Sequence, residues 1–407
     1  MQRFTGLIGI LILLGIAYIL SNNKKSIKPR IIIWGIGLQV FFAIIILKIP
    51  GIKSKFFFID KLFQKLISFS DQGSTFLFES FVPGVGYHEA MINFAFRALP
   101  VIIFFSSLIA VTYHFGIIQF MIKWIAKLME KTMKTSGAET LSVSANIFVG
   151  QTEAPILIRP FINKMTNSEL TAIMTGGFAT VAGSVLALYV LWLNVIPGIA
   201  GHMLTASIMS APAALVMAKI IYPETEQSET FGDLKISTEK QDANAMDALG
   251  RGASDGLKLA ANVGAMLIAF VSIIAMINFS LDYFFGTTIE ALLGIIFQPL
   301  AWCMGIPWDE AKITGRLMGE KIVLTELIAY SNLGEIINSN AISERSAIIT
   351  SYSLCGFANL GSIGIQLGGI GGIAPERRKD LSKLAFKAMI GGALASWLTA
   401  TIAGILI

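Results

Sequence analysis

The chain has 407 residues; 14% are charged, 54% are hydrophobic, and the mean hydropathy is +0.71. A soluble globular protein carries about 25% charged residues, so this composition excludes disordered, coiled-coil and disulfide-rich classes and predicts a polytopic membrane protein. The net charge of +5 comes from lysines and arginines spread over several short loops rather than gathered on one element. That distribution predicts basic cytoplasmic loops and no nucleic-acid partner.

Eight stretches are candidates for membrane spans, because crossing a bilayer takes about 20 mostly apolar residues. The first has the length of a signal peptide but no small-residue cleavage site, and it is interpreted as a retained span. The predicted spans are 4–20, 31–47, 91–113, 170–196, 202–221, 257–285, 341–354 with an irregular continuation, and 384–407. Segment 53–69 mixes lysines with aromatics, which predicts an amphipathic helix lying in the membrane interface.

Two apolar segments are interrupted by polar residues and are predicted to be re-entrant hairpins. Segment 138–162 contains Gly-Gln-Thr-Glu-Ala-Pro at 150–155, and segment 313–333 contains Thr325-Glu326. In the first segment Pro155 removes a backbone donor and Glu153 would be unpaired in hydrocarbon, so a lipid-facing helix is unsuitable there. Thr325-Glu326 interrupts the second segment in the same way. Two half-helices whose tips meet near the membrane centre would resolve both problems.

Basic residues orient the predicted spans. The loop containing Lys24, Lys25, Lys28 and Arg30 is assigned to the cytoplasm, which places both termini on the periplasmic or extracellular side. The span count then brings the polar loop 225–244 and the basic run 377–387 inside, and it makes the two hairpins enter from opposite sides. One block disagrees with this count: the lysines from Lys48 to Lys65 fall outside, and the interfacial helix accounts for them.

The two hairpins belong to an internal repeat. Each has Thr-Glu at its break, and each is followed by a related string: Gly-Phe-Ala-Thr-Val-Ala-Gly-Ser at 177–184 and Gly-Phe-Ala-Asn-Leu-Gly-Ser at 356–362. Each repeat is therefore predicted as a hairpin followed by a span broken at Gly-Phe-Ala. An inverted repeat with broken helices is typical of secondary transporters, whose substrate site lies at the repeat interface.

The breaks would bring together a dense set of hydrogen-bonding groups with two carboxylates. This chemistry favours a neutral polyhydroxylated or heterocyclic solute over an anion, because carboxylates accept hydrogen bonds from hydroxyls and amines. Near the first break, side-chain oxygens and freed carbonyls could form a neutral cage for a monovalent cation; capping of half-helices is the alternative interpretation. The candidate residues are Gln151, Thr152, Glu153, Glu326, Asn359 and Ser362 for the solute, and Asn146, Val149, Thr180 and Val181 for the ion.

The motifs at 150–155 and 356–364 resemble signatures of the concentrative nucleoside transporter family, and the resemblance covers essentially the whole chain. It implies a homotrimer of eight-span protomers that imports nucleosides, such as uridine, by symport with sodium or, in some members, protons. Carried over, it implies nucleobase binding by Gln151, Thr152, Glu153, Val185 and Phe357, ribose binding by Glu326, Asn359 and Ser362, and sodium binding by Asn146, Val149, Thr180 and Val181. The family resemblance and the basic loops together suggest the bacterial inner membrane.

The full prediction is an all-α polytopic membrane protein with about eight spans and two hairpins in an inverted repeat. Its regions are 1–113 (scaffold spans and interfacial helix), 114–221 (first repeat: hairpin 137–163, broken span 168–197, span 202–221), 222–256 (cytoplasmic loop), 257–300 (long span and interfacial segment), 301–375 (second repeat: hairpin 308–334, broken span 341–373) and 376–407 (basic loop and last span).

Three other functions compete with sodium symport. An intramembrane hydrolase would need a nucleophile with a buried base, and the three histidines lie near span ends, so no enzyme and no cofactor besides the coupling ion is expected. A proton-coupled symporter would use Glu153 or Glu326 as its titrating group. A passive pore is disfavoured by two opposed hairpins with carboxylate tips. Purine or pyrimidine preference, stoichiometry and rate stay open.

Overall fold

The computed structural model describes residues 2–79, 95–96, 99–230 and 242–407, and these are helical with connecting turns and no strand. The described residues of the first half form nine α-helices: α1 (Gln2–Ile19), α2 (Pro29–Lys48), α3 (Pro50–Phe78), α4 (Leu99–His114), α5 (Ile117–Met133), α6 (Gly137–Ala145), α7 (Asn167–Ala179), α8 (Gly183–Trp192) and α9 (Ile199–Ile221). A 3-10 helix at Ala154–Lys164 lies between α6 and α7.

In the range 242–407, seven more follow: α10 (Ala245–Phe285), α11 (Ile289–Cys303), α12 (Trp308–Val323), α13 (Glu326–Asn338), α14 (Glu344–Leu354), α15 (Leu360–Ile373) and α16 (Arg378–Leu406). In the described ranges five helical stretches are long and apolar enough to cross a membrane, or seven if the bent pairs α4–α5 and α11–α12 each count as one span. The predicted span 91–113 lies partly outside the described residues, and its described part consists of residues 95–96 and α4.

Local sequence signals explain where the half-helices begin. α6 and α7 each start with a capping box, in which Ser136 pairs with Glu139 and Thr166 with Glu169, so that backbone donors at the helix starts are satisfied. Thr325 caps α13 and Asn359 caps α15, each by accepting a bond from a backbone N–H three residues on. Two residues of the predicted site region thus also define helix starts.

The hairpins have the predicted form. The first consists of α6, the turn at 150–153 and the 3-10 helix, and the second consists of α12 and α13, which pack against each other on either side of Leu324 and Thr325. After the first hairpin, α7 and α8 form a span broken at 180–182; after the second, α14 and α15 form a span broken at 355–359. The first broken span and α14 are largely buried within the protein, whereas α15 buries only Ser362, Gln366, Ile370 and Gly371.

Contacts along α16 show that the hairpins enter from opposite ends of the molecule. At its start, Arg377 donates to the carbonyls of Asn163 (3.1 Å) and Met165, at the base of the first hairpin. Near its end, the Gly404 carbonyl accepts a bond of 2.6 Å from Arg345, which also donates to Gly305, at the base of the second hairpin. A 29-residue helix spans about 43 Å, so the two bases are separated by a membrane thickness.

Three predicted boundaries differ from the observed ones. Residues 245–256 of the predicted cytoplasmic loop region 222–256 are the start of α10, because Asn244 caps that helix with its side-chain oxygen and the helix begins at Ala245. The interfacial helix predicted over 53–69 is part of the 29-residue α3. In the first repeat the break does not fall at Gly-Phe-Ala, since residues 177–179 complete α7 and the chain leaves the helix only at Thr180.

Candidate functional site

A cavity of about 660 Å³ lies between the two hairpin tips and the two helix breaks. Its wall includes all eight side chains that the sequence predicts for nucleobase and ribose, and these come from both repeats. They are Gln151, Thr152, Glu153, Val185, Glu326, Phe357, Asn359 and Ser362. Of the predicted sodium residues, Val149 also lines this cavity.

Glu326 is a buried carboxylate held from two sides. Its Oε1 accepts a hydrogen bond of 3.0 Å from the Tyr189 hydroxyl, and its Oε2 accepts one of 2.8 Å from the Asn359 side-chain amide. Glu326 is also the first residue of α13, so the positive end of that helix favours the negative charge. Each carboxylate oxygen can accept more than one bond, so both can still receive a hydroxyl from a solute.

The Gln151 amide joins the first hairpin to the second repeat. Its Nε2 donates to the Ser362 hydroxyl at 3.4 Å, and its Oε1 accepts from Gln366 Nε2 at 2.9 Å. Gln366 donates in addition to the Met174 carbonyl of α7 at 3.1 Å. Gly177 allows α7 to pack against these two amides, since a Cβ added there would lie 2.7 Å from Gln366 Nε2.

Glu153 faces the cavity with one internal hydrogen bond, which its Oε2 accepts from the Gly150 N–H at 3.0 Å. Its side chain is exposed to the space inside the cavity that it lines. The remaining acceptor capacity of the carboxylate therefore points to cavity contents rather than to the protein. Together with Glu326, it makes the hairpin-tip end of the cavity unfavourable for an anionic solute, while Asp255 lies beside Arg251 and Lys258.

The cavity continues along α10 to a charged cluster at that helix's N-terminal end. Arg251 donates two hydrogen bonds, 2.6 and 2.9 Å, to Asp242, and it lies 3.5 Å from Asp255. The guanidinium lowers the pKa of Asp242 below its ordinary value, so the pair is ionised at neutral pH. Gly252 and Gly256 allow α10 to approach α4 closely here, since a Cβ added at either position would lie 2.7 Å from atoms of α4.

Three of the four predicted sodium residues lie next to the cavity, at the C-terminal ends of two half-helices. Asn146 directly follows α6 and Thr180 directly follows α7, where the last carbonyls of each helix carry partial negative charge. Asn146 Nδ2 donates to the Ser142 carbonyl at 3.2 Å, whereas its buried Oδ1 has no hydrogen-bond partner among the described residues. Thr180 donates to the Gly176 carbonyl at 3.0 Å, and Val181 is fully buried beside it. Such a donor set fits a monovalent cation.

The sequence did not point to Tyr189, Gln366 or the charged cluster on α10. Tyr189 and Gln366 sit inside apolar helices, where no spacing distinguishes a binding role from packing. A signal for the α10 surface was present, since Gly252 and Gly256 form a Gly-x-x-x-Gly pair of the kind that allows two membrane helices to approach closely.

Family models match almost the whole chain. The Na+ dependent nucleoside transporter N-terminus matches residues 8–81, the nucleoside recognition (Gate) model matches 95–195, and the Na+ dependent nucleoside transporter C-terminus matches 202–404. A Bacillus subtilis protein, uncharacterized transporter YutK, is 44% identical over the full length of both chains. Sodium/nucleoside cotransporter 1 of Rattus norvegicus is 37% identical over all of this chain, which spans 64% of that protein.

Solved structures of CNTnw share the fold. In an inward-facing substrate-bound state it is 41% identical with a TM-score of 0.90, covering 100% of this chain and 98% of that one. A doubly substituted CNTnw in an outward-facing state gives a TM-score of 0.91 at 40% identity, with the same coverage. These neighbours are transporters observed in alternating-access states, so the protein is a membrane transporter and not an enzyme. The chain belongs to the family of concentrative nucleoside transporters.

Proposed function

We propose that the protein imports neutral nucleosides, uridine among them, by symport with sodium and alternating access. The observation that supports this best is the single cavity in which the side chains of both hairpin tips and both breaks meet. In the proposed complex, Gln151, Thr152 and Glu153 hold the nucleobase with Val185 and Phe357 as apolar walls. Glu326, Asn359 and Ser362 hold the ribose hydroxyls.

The chemistry of each group matches its proposed role. An amide such as Gln151 offers a donor and an acceptor to a base edge, while a carboxylate accepts from two ribose hydroxyls. Nucleotides are expected to bind more weakly than nucleosides where their phosphates would meet Glu153 and Glu326 at the hairpin tips, because like charges repel. Sodium would bind at Asn146, Val149, Thr180 and Val181, where the orphaned Asn146 oxygen supplies one ligand.

The proposed setting is the bacterial inner membrane, with a homotrimer as the assembly and both termini outside. The base of the first hairpin shares its side of the molecule with basic residues: Arg30 donates to the Lys131 and Thr132 carbonyls there, and Arg377 lies at the same end. Lysines and arginines are retained on the cytoplasmic side, so this end is proposed to face the cytoplasm.

Glu326→Gln tests the ribose site. Losing the charge while keeping the shape weakens acceptance from two hydroxyls, which should lower uridine affinity by about tenfold or more. Glu335→Gln, on the exposed face of the same helix α13, is the matched control and should bind normally. Equal uridine affinity in the two variants would contradict the assignment of Glu326.

Proteoliposomes with labelled uridine test the coupling. We expect accumulation above the external concentration when a sodium gradient is imposed, and none when choline replaces sodium. Asn146→Ala should raise the sodium concentration for half-maximal uptake by about fivefold or more, because one buried oxygen ligand is lost. Asn163→Ala, exposed at the base of the same hairpin, should leave it unchanged. Equal uptake in choline with a proton gradient would instead establish proton coupling, and equilibration without accumulation would establish a pore.

A further inference from the structure

Lys321 is a fully buried lysine on the first arm of the second hairpin. Its ammonium donates three hydrogen bonds: 3.0 Å to the Ser353 carbonyl, 3.0 Å to the Cys355 carbonyl and 2.8 Å to the Ser396 hydroxyl of α16. None of these three acceptors is a carboxylate. The ammonium is therefore coordinated by neutral oxygens, as a small cation would be.

The acceptors lie where a cation is electrostatically favoured. α14 ends at Leu354, so the Ser353 and Cys355 carbonyls belong to the negative end of a helix that has no continuing turn to satisfy them. Without the lysine, these carbonyls would be buried and unpaired in a membrane-embedded break, where each unsatisfied group is costly.

The first repeat has the same arrangement without a lysine. There α7 ends at Ala179 before its break, and the facing arm of the hairpin presents Asn146, whose Oδ1 has no hydrogen-bond partner among the described residues. In both repeats the C-terminal end of a broken span thus faces the first arm of a hairpin. In one repeat the arm brings an orphaned oxygen, and in the other it brings an ammonium.

We propose that Lys321 is a tethered cation that fills the second repeat's break, the counterpart of the exchangeable ion proposed for the first. The comparison with the first repeat rests on the proposed function, because it assumes an exchangeable ion there. The hydrogen bonds of Lys321 itself do not depend on that function. The consequence is a functional asymmetry between the repeats: one break binds and releases its cation during transport, and the other is held permanently in its broken form.

Lys321 acts on the substrate through the segment that it fixes. It holds Cys355, and two residues later Phe357 lines the cavity, followed by Asn359, which donates to Glu326. Lys321 is accordingly a positioning residue: it touches no solute, but its bond to Cys355 determines where the break begins.

Chemical rescue of a variant that lacks the lysine, by a free alkylammonium ion, tests the proposal. Lys321→Ala leaves Cβ in place, so propylammonium supplies the removed three carbons and the charge, while 1-propanol supplies a similar shape without charge. We expect the purified variant to lose about tenfold or more in uridine affinity and to melt at a lower temperature, because buried carbonyls lose their partner. Propylammonium should restore both quantities, and propanol should restore neither.

Three further variants complete the design. Lys321→Met keeps most of the volume without the charge and should behave like Lys321→Ala, whereas Lys321→Arg should retain most of the stability. Lys312→Ala, exposed on the same helix, is the control. If Lys321→Ala does not fold, the stability and uridine affinity of Lys321→Met are compared with those of Lys321→Arg, and that difference tests the proposal. Wild-type stability and affinity in Lys321→Met, equal rescue by propanol, or an Arg variant as impaired as the Met variant would each overturn the proposal.

The stability measurement keeps this test separate from the proposed function. If the unmodified protein binds no uridine in sodium, the nucleoside proposal fails, but the melting temperatures with and without propylammonium still report on Lys321. If uridine binds and the ammonium has no effect, the lysine proposal fails alone.

Discussion

Tyr189 shows how a residue that touches a carboxylate can decide the geometry of a binding site. Its hydroxyl donates to Glu326 from α8, and its ring stacks on Tyr330 with centroids 4.1 Å apart. The aromatic pair locks the ring, so the hydroxyl fixes one carboxylate oxygen while Asn359 fixes the other. A residue of the first repeat thereby orients the acidic group of the second.

Tyr189→Phe should therefore raise KM for uridine by about three- to tenfold with little change in folding, because one hydrogen bond to a charged group is lost and the ring stack is kept. Tyr330→Phe is the matched control, since its hydroxyl donates to the Ser351 carbonyl rather than to Glu326. Combined with Glu326→Gln, the Tyr189 substitution should add little further loss, because the two residues act as one unit. Uptake kinetics of the two single variants and the double variant provide the measurement. Fully additive losses would mean that Tyr189 acts independently of Glu326.

The sequence singles out the acidic and amide residues that line this cavity, but not the tyrosine behind them. Glu153 and Glu326 are conspicuous because a charge in an apolar segment is costly, and Asn359 lies in a repeated string. Tyr189 lies in a helix that is apolar on every side, and its partner is 137 positions away. Only the packing of α8 against α13 brings them together, and no local pattern encodes that crossing.

At the scale of elements, the two repeats match in sequence but not in where their helices stop. Gly177, Phe178 and Ala179 continue α7, whereas the corresponding Gly356 and Phe357 lie outside any helix. Phe178 is consequently buried in the core, and Phe357 is free to line the cavity. The sequence match therefore predicted the existence and order of the breaks, but a helix end depends on which tertiary contacts satisfy its last carbonyls.

Gly356 is the point at which the two breaks cross. Its φ of +106° is a conformation that side chains rarely adopt, and a Cβ there would lie 2.5 Å from the Phe178 carbonyl oxygen. Gly356→Ala combines backbone strain with overpacking, so we expect a loss of about 2–4 kcal/mol in stability.

The matched control is Gly364→Ala on α15, where an added Cβ meets nothing within 4 Å. In a helix interior this change should be neutral or slightly stabilising. Melting temperatures of the two purified variants in one detergent make the comparison. A Gly356→Ala protein as stable as Gly364→Ala would show that the crossing of the breaks can relax without cost.

At the scale of the whole molecule, the hairpins and the long helices define two distinct ends. The end at the base of the first hairpin also gathers segment 222–230: Thr230 accepts a bond from Gly137 N–H, and Ser228 donates to Glu169 at 2.7 Å. Lys219 and Glu139 form a buried pair of 2.7 Å beside them. The opposite end carries Ser343, which donates to Glu310, and the last turn of α16. Charge counting from the sequence predicted this opposition, because the loops that carry most lysines lie at one end.

Cysteine labelling tests which end faces the cytoplasm. The two native cysteines, Cys303 and Cys355, are buried and should contribute little background. Glu229→Cys, exposed at the base of the first hairpin, should react with a membrane-impermeant maleimide only after the cells are permeabilised. Ser339→Cys, exposed at the base of the second, should react in intact cells. The reagent reports the compartment of a cysteine rather than its conformation. The expected pattern would therefore place the basic end inside, in agreement with the retention of lysine and arginine on the cytoplasmic side. The reverse pattern would place the basic end outside and invert the proposed orientation of the whole molecule, whereas the direction of coupled transport would still be set by the ion and solute gradients.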